Sequence, residues 1–152
     1  MLETIYHGSN VEVANPRIIQ NGFYKDFGYG FYCTNIEQQA KRWAITRHGE
    51  SIVSKYSYNL DDSLMMLSYK EMTDEWLQFV VDCRRGTEHN YDIVEGPMAD
   101  DQIWDYVEDY MEERITKEAF WELVKFKYPT HQIVFRTDKA LQTLHFEGSE
   151  CF

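Results

Sequence analysis

The residues able to do chemistry are spread along the chain, and most combinations of them fail on spacing. His7, His48, His89, His131 and His145 show neither the H-x-x-x-H nor the H-E-x-x-H pattern that sets two imidazoles on one helix face, so no metal centre is expected. Ser9 follows Gly8, but no G-x-S-x-G surrounds it and nothing local supplies a base to activate its hydroxyl. Gly28-Tyr29-Gly30 resembles a piece of a dinucleotide fingerprint, yet it precedes a strand where that fingerprint must follow one and open a helix. Cys33, Cys83 and Cys151 are odd in number, far apart and outside any C-x-x-C pair, which indicates neither a disulfide framework nor a zinc site and points to a reducing compartment. Cys33 reads first as a small buried apolar residue and second as a reactive thiol.

Three segments taken together stand out: Tyr6-His7-Gly8-Ser9 at the end of a first strand, Phe27-Gly28-Tyr29-Gly30-Phe31-Tyr32 entering a second, and Trp43 eleven positions after Tyr32. An H-G-S tripeptide, an F-G-x-G-aromatic-Y segment about twenty residues later and an aromatic beyond it resemble the NAD-binding half of ADP-ribosyltransferases of the diphtheria-toxin and poly-ADP-ribose-polymerase type. Their signature is His, Tyr and Glu on three separate strands. This likeness covers about residues 5 to 44 and a few residues near 132. The segments Val94 to Asp101 and His131 to Leu141 also resemble a bacterial family of uncharacterised domains placed near those transferases, over nearly the whole chain.

The resemblance implies that NAD is the substrate. It implies that His7 hydrogen-bonds a ribose hydroxyl, that the Gly8 backbone and Ser9 hold the nicotinamide amide, and that Tyr32, next to Phe31, and Trp43 stack on the two faces of the nicotinamide. A planar cationic ring between π faces gains about 0.5 to 2 kcal/mol. The third signature residue is missing. The position ahead of the apolar run Ile133-Val134-Phe135 holds Gln132, or His131 with one residue of slack, and neither is a carboxylate. Asp100 and Asp101 are alternative acids that either reach a cleft or cap a helix. The expected activity is slow mono-ADP-ribosyl transfer to a protein or nucleic-acid acceptor, or NAD hydrolysis. The alternative is a binding-only module of the same fold. The bacterial likeness further suggests a toxin with an antitoxin partner.

Composition narrows the setting. With 15 Lys and Arg against 26 Asp and Glu, the net charge of -11 argues against a broad cationic surface for a phosphate backbone. No stretch approaches the roughly 20 apolar residues that span a bilayer, and MLETIYHGSN has no basic leader, so a cytoplasmic protein without a membrane is expected. The acidic stretch from Glu95 to Glu113 reads as a solvated helix face, or else as a docking face for a basic partner. The 11 Tyr, 9 Phe and 4 Trp suit either a bulky core or a stacking pocket.

The elements that must position these groups follow from pattern. Glu3 to His7 reads as a strand ended by the turn residues Gly8-Ser9-Asn10, and residues 9 to 30 as loop, with Tyr24 and Tyr29 as rim or surface aromatics. Phe31 to Thr34 is a strand, and Thr34-x-x-Glu37 a capping box opening a helix to about His48. Ile52 to Leu60 alternates as a strand, Thr73 to Arg85 is helical, Tyr91 to Val94 is a strand, and Glu95 to Met98 a turn. Helices from about Asp101 to Glu112 and from Thr116 to Lys127 precede a strand at Gln132 to Arg136, a helical turn at Asp138 to Gln142 and a strand at Leu144 to Glu147. Trp76, Trp104, Phe120 and Trp121 fall at packing positions. Strands and helices mix without a regular βαβ repeat, so residues 1–152 are expected to form one α+β domain, a mainly antiparallel split sheet with flanking helices.

Overall fold

A computed structural model describes residues 2–18, 25–46, 48–99, 101–125 and 130–152, with the side chain of Asp101 left aside. The alternation of Ile52 to Asn59 makes the centre of one sheet. This strand, β3 (Ile52–Asn59), pairs antiparallel with β1 (Leu2–Ser9) on one side and with β7 (Leu144–Cys151) on the other. A second sheet has the order β2 (Phe31–Cys33), β6 (Gln132–Phe135), β5 (Ile93–Gly96), β4 (Met66–Ser68), and every pairing in it is antiparallel except β4 with β5. The fold is therefore α+β with mostly antiparallel sheets.

Side-chain alternation assigns each face a partner. Ile5 of β1, Phe31 and Cys33 of β2, Tyr56 and Tyr58 of β3, and Ile133 and Phe135 of β6 meet in the core between the sheets. The other face of the second sheet, with Val94 and Val134, packs on α2 (Asp74–Arg84), α3 (Asp101–Met111) and α4 (Lys117–Val124) through Trp76, Leu77, Ile103 and Phe120. Helix α1 (Glu37–Ile45) lies on the outer face of the first sheet, where Ala40 and Ala44 touch Val53 and Tyr6. A short α5 (Asp138–Leu141) leads into β7. Trp76 is fully buried and its indole N–H donates to Pro97 O at 2.9 Å, whereas Trp104 and Trp121 are half-buried at the rim of the same core.

Several element boundaries depart from the pattern, each for a tertiary reason. β1 does not stop at His7: Gly8 sits inside it, and a Cβ there would come within 2.0 Å of Ala40 O. That glycine lets α1 lie directly on the strand. Thr34 is not the cap of α1, because its N–H and C=O bond Tyr6 at 2.9 and 2.8 Å and hold it extended; Ile36 takes the cap position without a side-chain bond. The helix ends at Ile45, where the Thr46 hydroxyl donates to Trp43 O at 2.8 Å. β5 extends through Gly96 into the expected turn, while β4 has three residues and no readable period. β7 runs on to Cys151 past a bulge in which Lys55 pairs with Gly148 and Tyr56 with Phe146. The expected features at Tyr24, Asp100 and Lys127 to Pro129 lie outside the described residues.

Candidate functional site

Among the described residues one backbone bridge joins the two sheets, Tyr6 on β1 with Thr34 at the end of β2. Continuing that antiparallel register would pair Gly8 with Tyr32, but no ladder forms there. The Tyr32 carbonyl instead accepts a bond from His7 Nδ1 at 2.6 Å. Since a carbonyl only accepts, Nδ1 carries a proton in this contact. Backbone groups alternate along a strand, so the N–H and C=O of Gly8 leave the same edge of β1 as those of Tyr6, away from β3. They face the gap between the sheets.

That gap opens into a cavity of about 880 Å³, within the roughly 300–1,000 Å³ of small-molecule sites. Its walls include His7, Gly8, Ser9, Phe31, Tyr32 and Trp43, with Gln132 also reaching it. His7, Gly8, Ser9, Phe31, Tyr32, Trp43 and Gln132 therefore share one space, His131 does not, and Asp100 and the Asp101 side chain lie outside the described residues. The His7 ring stacks on Phe31 at 4.3 Å between centroids. Tyr32 is fixed by its hydroxyl, which donates to Gly28 O at 2.6 Å and accepts from Phe27 N at 3.1 Å. Burial, and secondarily the Asp26 charge, push the Tyr32 phenol well above its ordinary value, so it stays protonated. Lys25 Nζ stands 5.0 Å from the Tyr32 ring centre, a cation already drawn to that π face.

Trp43 reaches the cavity from α1, and its placement depends on a residue that sequence reasoning passed over. Gln39, one turn earlier on α1 and buried, accepts from His131 N at 3.1 Å and donates to His131 O at 2.5 Å. This amide pairs with the backbone as a strand would, fixing α1 and its indole relative to Gln132 next door. His131 itself turns away from the cavity. Its Nδ1 accepts from Asn35 N at 3.0 Å and its Nε2 donates to Glu95 Oε2 at 2.6 Å, which ties the turn after β2 to β5. Of His131 and Gln132, Gln132 is the one in the cavity.

Beside Gln132 lies a second residue that no sequence pattern singles out. Asp26 lines the same cavity yet is only 3% exposed. Its Oδ1 accepts from Arg84 Nε at 2.8 Å and from Nη2, and its Oδ2 accepts from Ala99 N at 2.8 Å and from Gln132 Nε2 at 3.0 Å. All four partners are donors, which suits a carboxylate, an acceptor only. Arg84 in turn lies 3.7 Å over the Trp104 ring, so helices α2 and α3 hold the ion pair in place. In the loop that carries Asp26, a Cβ on Gly30 would come within 2.5 Å of the Val134 side chain and 2.8 Å of Phe135 O, so only glycine lets it run this close to β6.

Cys33 is not a cavity thiol: it is fully buried between the sheets, and burial pushes its pKa well up, the reverse of an activated cysteine. Among the described residues no group of three or more His, Cys, Asp and Glu is placed to hold a metal ion, and no helix is long and apolar enough to cross a membrane.

Residues 3–146, almost the whole chain, match a family described as a protein of unknown function, DUF3990. The chain belongs to DUF3990. No curated protein and no solved structure matches it. For this DUF3990 member the case for any activity therefore rests on the cavity and on the resemblance carried by its sequence.

Proposed function

We propose that this DUF3990 member has an ADP-ribosyltransferase fold and is an NAD-dependent mono-ADP-ribosyltransferase acting in the cytoplasm on a protein or nucleic-acid acceptor. The observation that carries the reading is the convergence of His7, Gly8, Tyr32 and Trp43, from two strands of different sheets and a helix, on one cavity beside the outward edge of Gly8. The nicotinamide amide would pair with the Gly8 N–H and C=O, its ring would lie between Tyr32 and Trp43, and His7 would bond the adjoining ribose. A pyridinium on the Tyr32 face replaces the Lys25 ammonium there, one cation for another.

In the reaction the C1′–N bond breaks and its electron pair leaves with nicotinamide, which becomes neutral. The ribose gains oxocarbenium character, and the acceptor's lone pair forms the new C1′ bond while its proton passes to solvent. Gln132 would accept a hydrogen bond from a ribose hydroxyl but brings no full charge to the cation, so turnover is slow. Transfer of the ADP-ribosyl group to water, NAD hydrolysis, is the same step with water as acceptor. A bacterial toxin restrained by an antitoxin is the setting that fits the sequence likeness.

The second reading is a binding-only module, favoured by the uncharged Gln132. Incubation with labelled NAD and cell lysate separates the two. Free nicotinamide or a labelled macromolecule is the expected result. Neither product, together with an NAD-dependent rise in Tm, leaves the binding module; neither product and no rise contradicts both readings.

A further inference from the structure

The absent glutamate leaves the question of where a negative charge near the ribose would come from, and the cavity answers with a buried carboxylate one hydrogen bond behind Gln132. We infer that Asp26 is a positioning residue for the chemistry at this site: it fixes the Gln132 amide with its carbonyl toward the ligand and lends that carbonyl part of its charge. The inference rests on the NAD reading above.

The geometry determines the amide orientation. Gln132 Nε2 donates to Asp26 Oδ2 at 3.0 Å and to Pro97 O at 3.5 Å. The flipped amide would set an oxygen against two oxygens, so the hydrogen-bond network selects this one orientation. Gln132 Oε1 makes no hydrogen bond among the described residues, and no buried side-chain oxygen or nitrogen there lacks a partner. Oε1 must therefore reach solvent, although Gln132 is only 4% exposed, and the open space that Gln132 lines is the cavity. An amide whose N–H is held by a carboxylate has a more electron-rich oxygen, because hydrogen bonds in a chain polarise one another, by about 10–30% per bond. The pair thus delivers at Oε1 a fraction of the charge that a glutamate would deliver directly.

Arg84 and Ala99 N–H explain why a charge can stay buried here. They also offer a purely structural explanation of Asp26, as a clamp joining its loop to α2. The two roles separate in a swap. Asp26→Asn removes the charge from both Arg84 and Gln132. Asp26→Asn combined with Gln132→Glu still leaves Arg84 without its carboxylate, but rebuilds an amide–carboxylate pair with the charge on the ribose side.

The experiment measures nicotinamide release from NAD, as kcat and KM, in the wild type, Asp26→Asn and the double variant, with Tm recorded for each. We expect Asp26→Asn to lower kcat about tenfold or more while KM stays within about threefold, and the double variant to recover most of that loss without recovering Tm. An unchanged kcat in Asp26→Asn, or a double variant no better than the single one, overturns the role of Asp26 and leaves the NAD reading standing. A wild type that neither binds NAD nor releases nicotinamide overturns both. Should Asp26→Asn not fold, the Gln132 side-chain amide of the wild type reads the same contact by NMR. Its N–H signals should show the carboxylate bond and shift when NAD is added; signals typical of a solvated amide and unmoved by bound NAD overturn the role of Asp26 alone.

Discussion

The two walls of the cavity are built on opposite terms. On the β1–α1 side the groups that face the opening are a strand edge at Gly8, an indole at Trp43 and an imidazole at His7, positioned by close backbone packing, the His7 bond to Tyr32 O and the Gln39 bonds to the His131 backbone. On the β2–β6 side a buried carboxylate, a guanidinium, a backbone N–H and an amide form a closed network around Asp26. The difference separates tasks. Ring faces and strand edges can meet a ligand without strain in its absence, while a buried charge must be fully paired before any ligand arrives. Substitutions of the ring side chains on the first wall should therefore alter binding, and substitutions on the second should alter stability first.

The largest effect should come from Asp26→Ala, which strips the acceptor from Arg84, Ala99 N and Gln132 at once. A loss of about 3–5 kcal/mol in denaturant unfolding is expected, and a loss under about 1 kcal/mol would mean that the network is relaxed by water. Next is Gly8→Ala. Its methyl would meet the Ala40 carbonyl at 2.0 Å, a contact with helix backbone that no side-chain rotation relieves. Pushing α1 off β1 should cost about 1–3 kcal/mol and should weaken NAD binding as well, since Trp43 moves with the helix.

Trp43→Ala sharpens the contrast from the other side. It should weaken NAD about tenfold, in line with a stacking contact of about 0.5 to 2 kcal/mol, while the unfolding midpoint moves less than in Gly8→Ala. Equal affinity in the variant, measured by calorimetry, would remove Trp43 from the site.

The smallest effect concerns pH and lies behind the second wall. His89 donates from Nε2 to Phe27 O at 2.9 Å, and its Nδ1 accepts from Tyr91 N at 3.3 Å and faces Arg136 Nη1 at 3.4 Å. Burial, with the Arg136 charge adding to it, holds its pKa below the ordinary 6.5. A depressed folded value means that the unfolded chain binds the extra proton first. The stabilisation is thus complete above about pH 6.5 and declines as pH falls from there through the folded value. His89→Gln should flatten that part of the stability curve; an unchanged slope would show that His89 does not carry it.

The part of the cavity lining drawn from one stretch of sequence was the legible one. His7-Gly8, Tyr32 and Trp43 announce themselves because they lie within one stretch of about forty residues whose glycines and aromatics keep a family-like spacing. The α+β class was also readable, from the mixture of β3-type alternation with the helical spacing of Trp76, Leu77 and Val80. What sequence could not yield was anything assembled from distant segments. Asp26 sits in a loop with no period, and its partners come from α2, from the segment after β5 and from β6, 106 residues away in the case of Gln132. Gln39 looks like an ordinary polar helix residue until His131 is beside it. Thr34 misled through a real local signal: a capping box competes with a strand bridge, and the bridge to Tyr6 won.

The central claim is that one cavity holds a nicotinamide between Tyr32 and Trp43 with its amide on the Gly8 edge. The most direct measurement is a crystal structure of the protein soaked with NAD. The nicotinamide ring should lie between those two side chains, with its amide on the Gly8 N–H and C=O and a ribose hydroxyl within hydrogen-bond distance of His7 and of Gln132 Oε1. Density for the dinucleotide elsewhere on the molecule, or its absence from the cavity at saturating NAD, would contradict it.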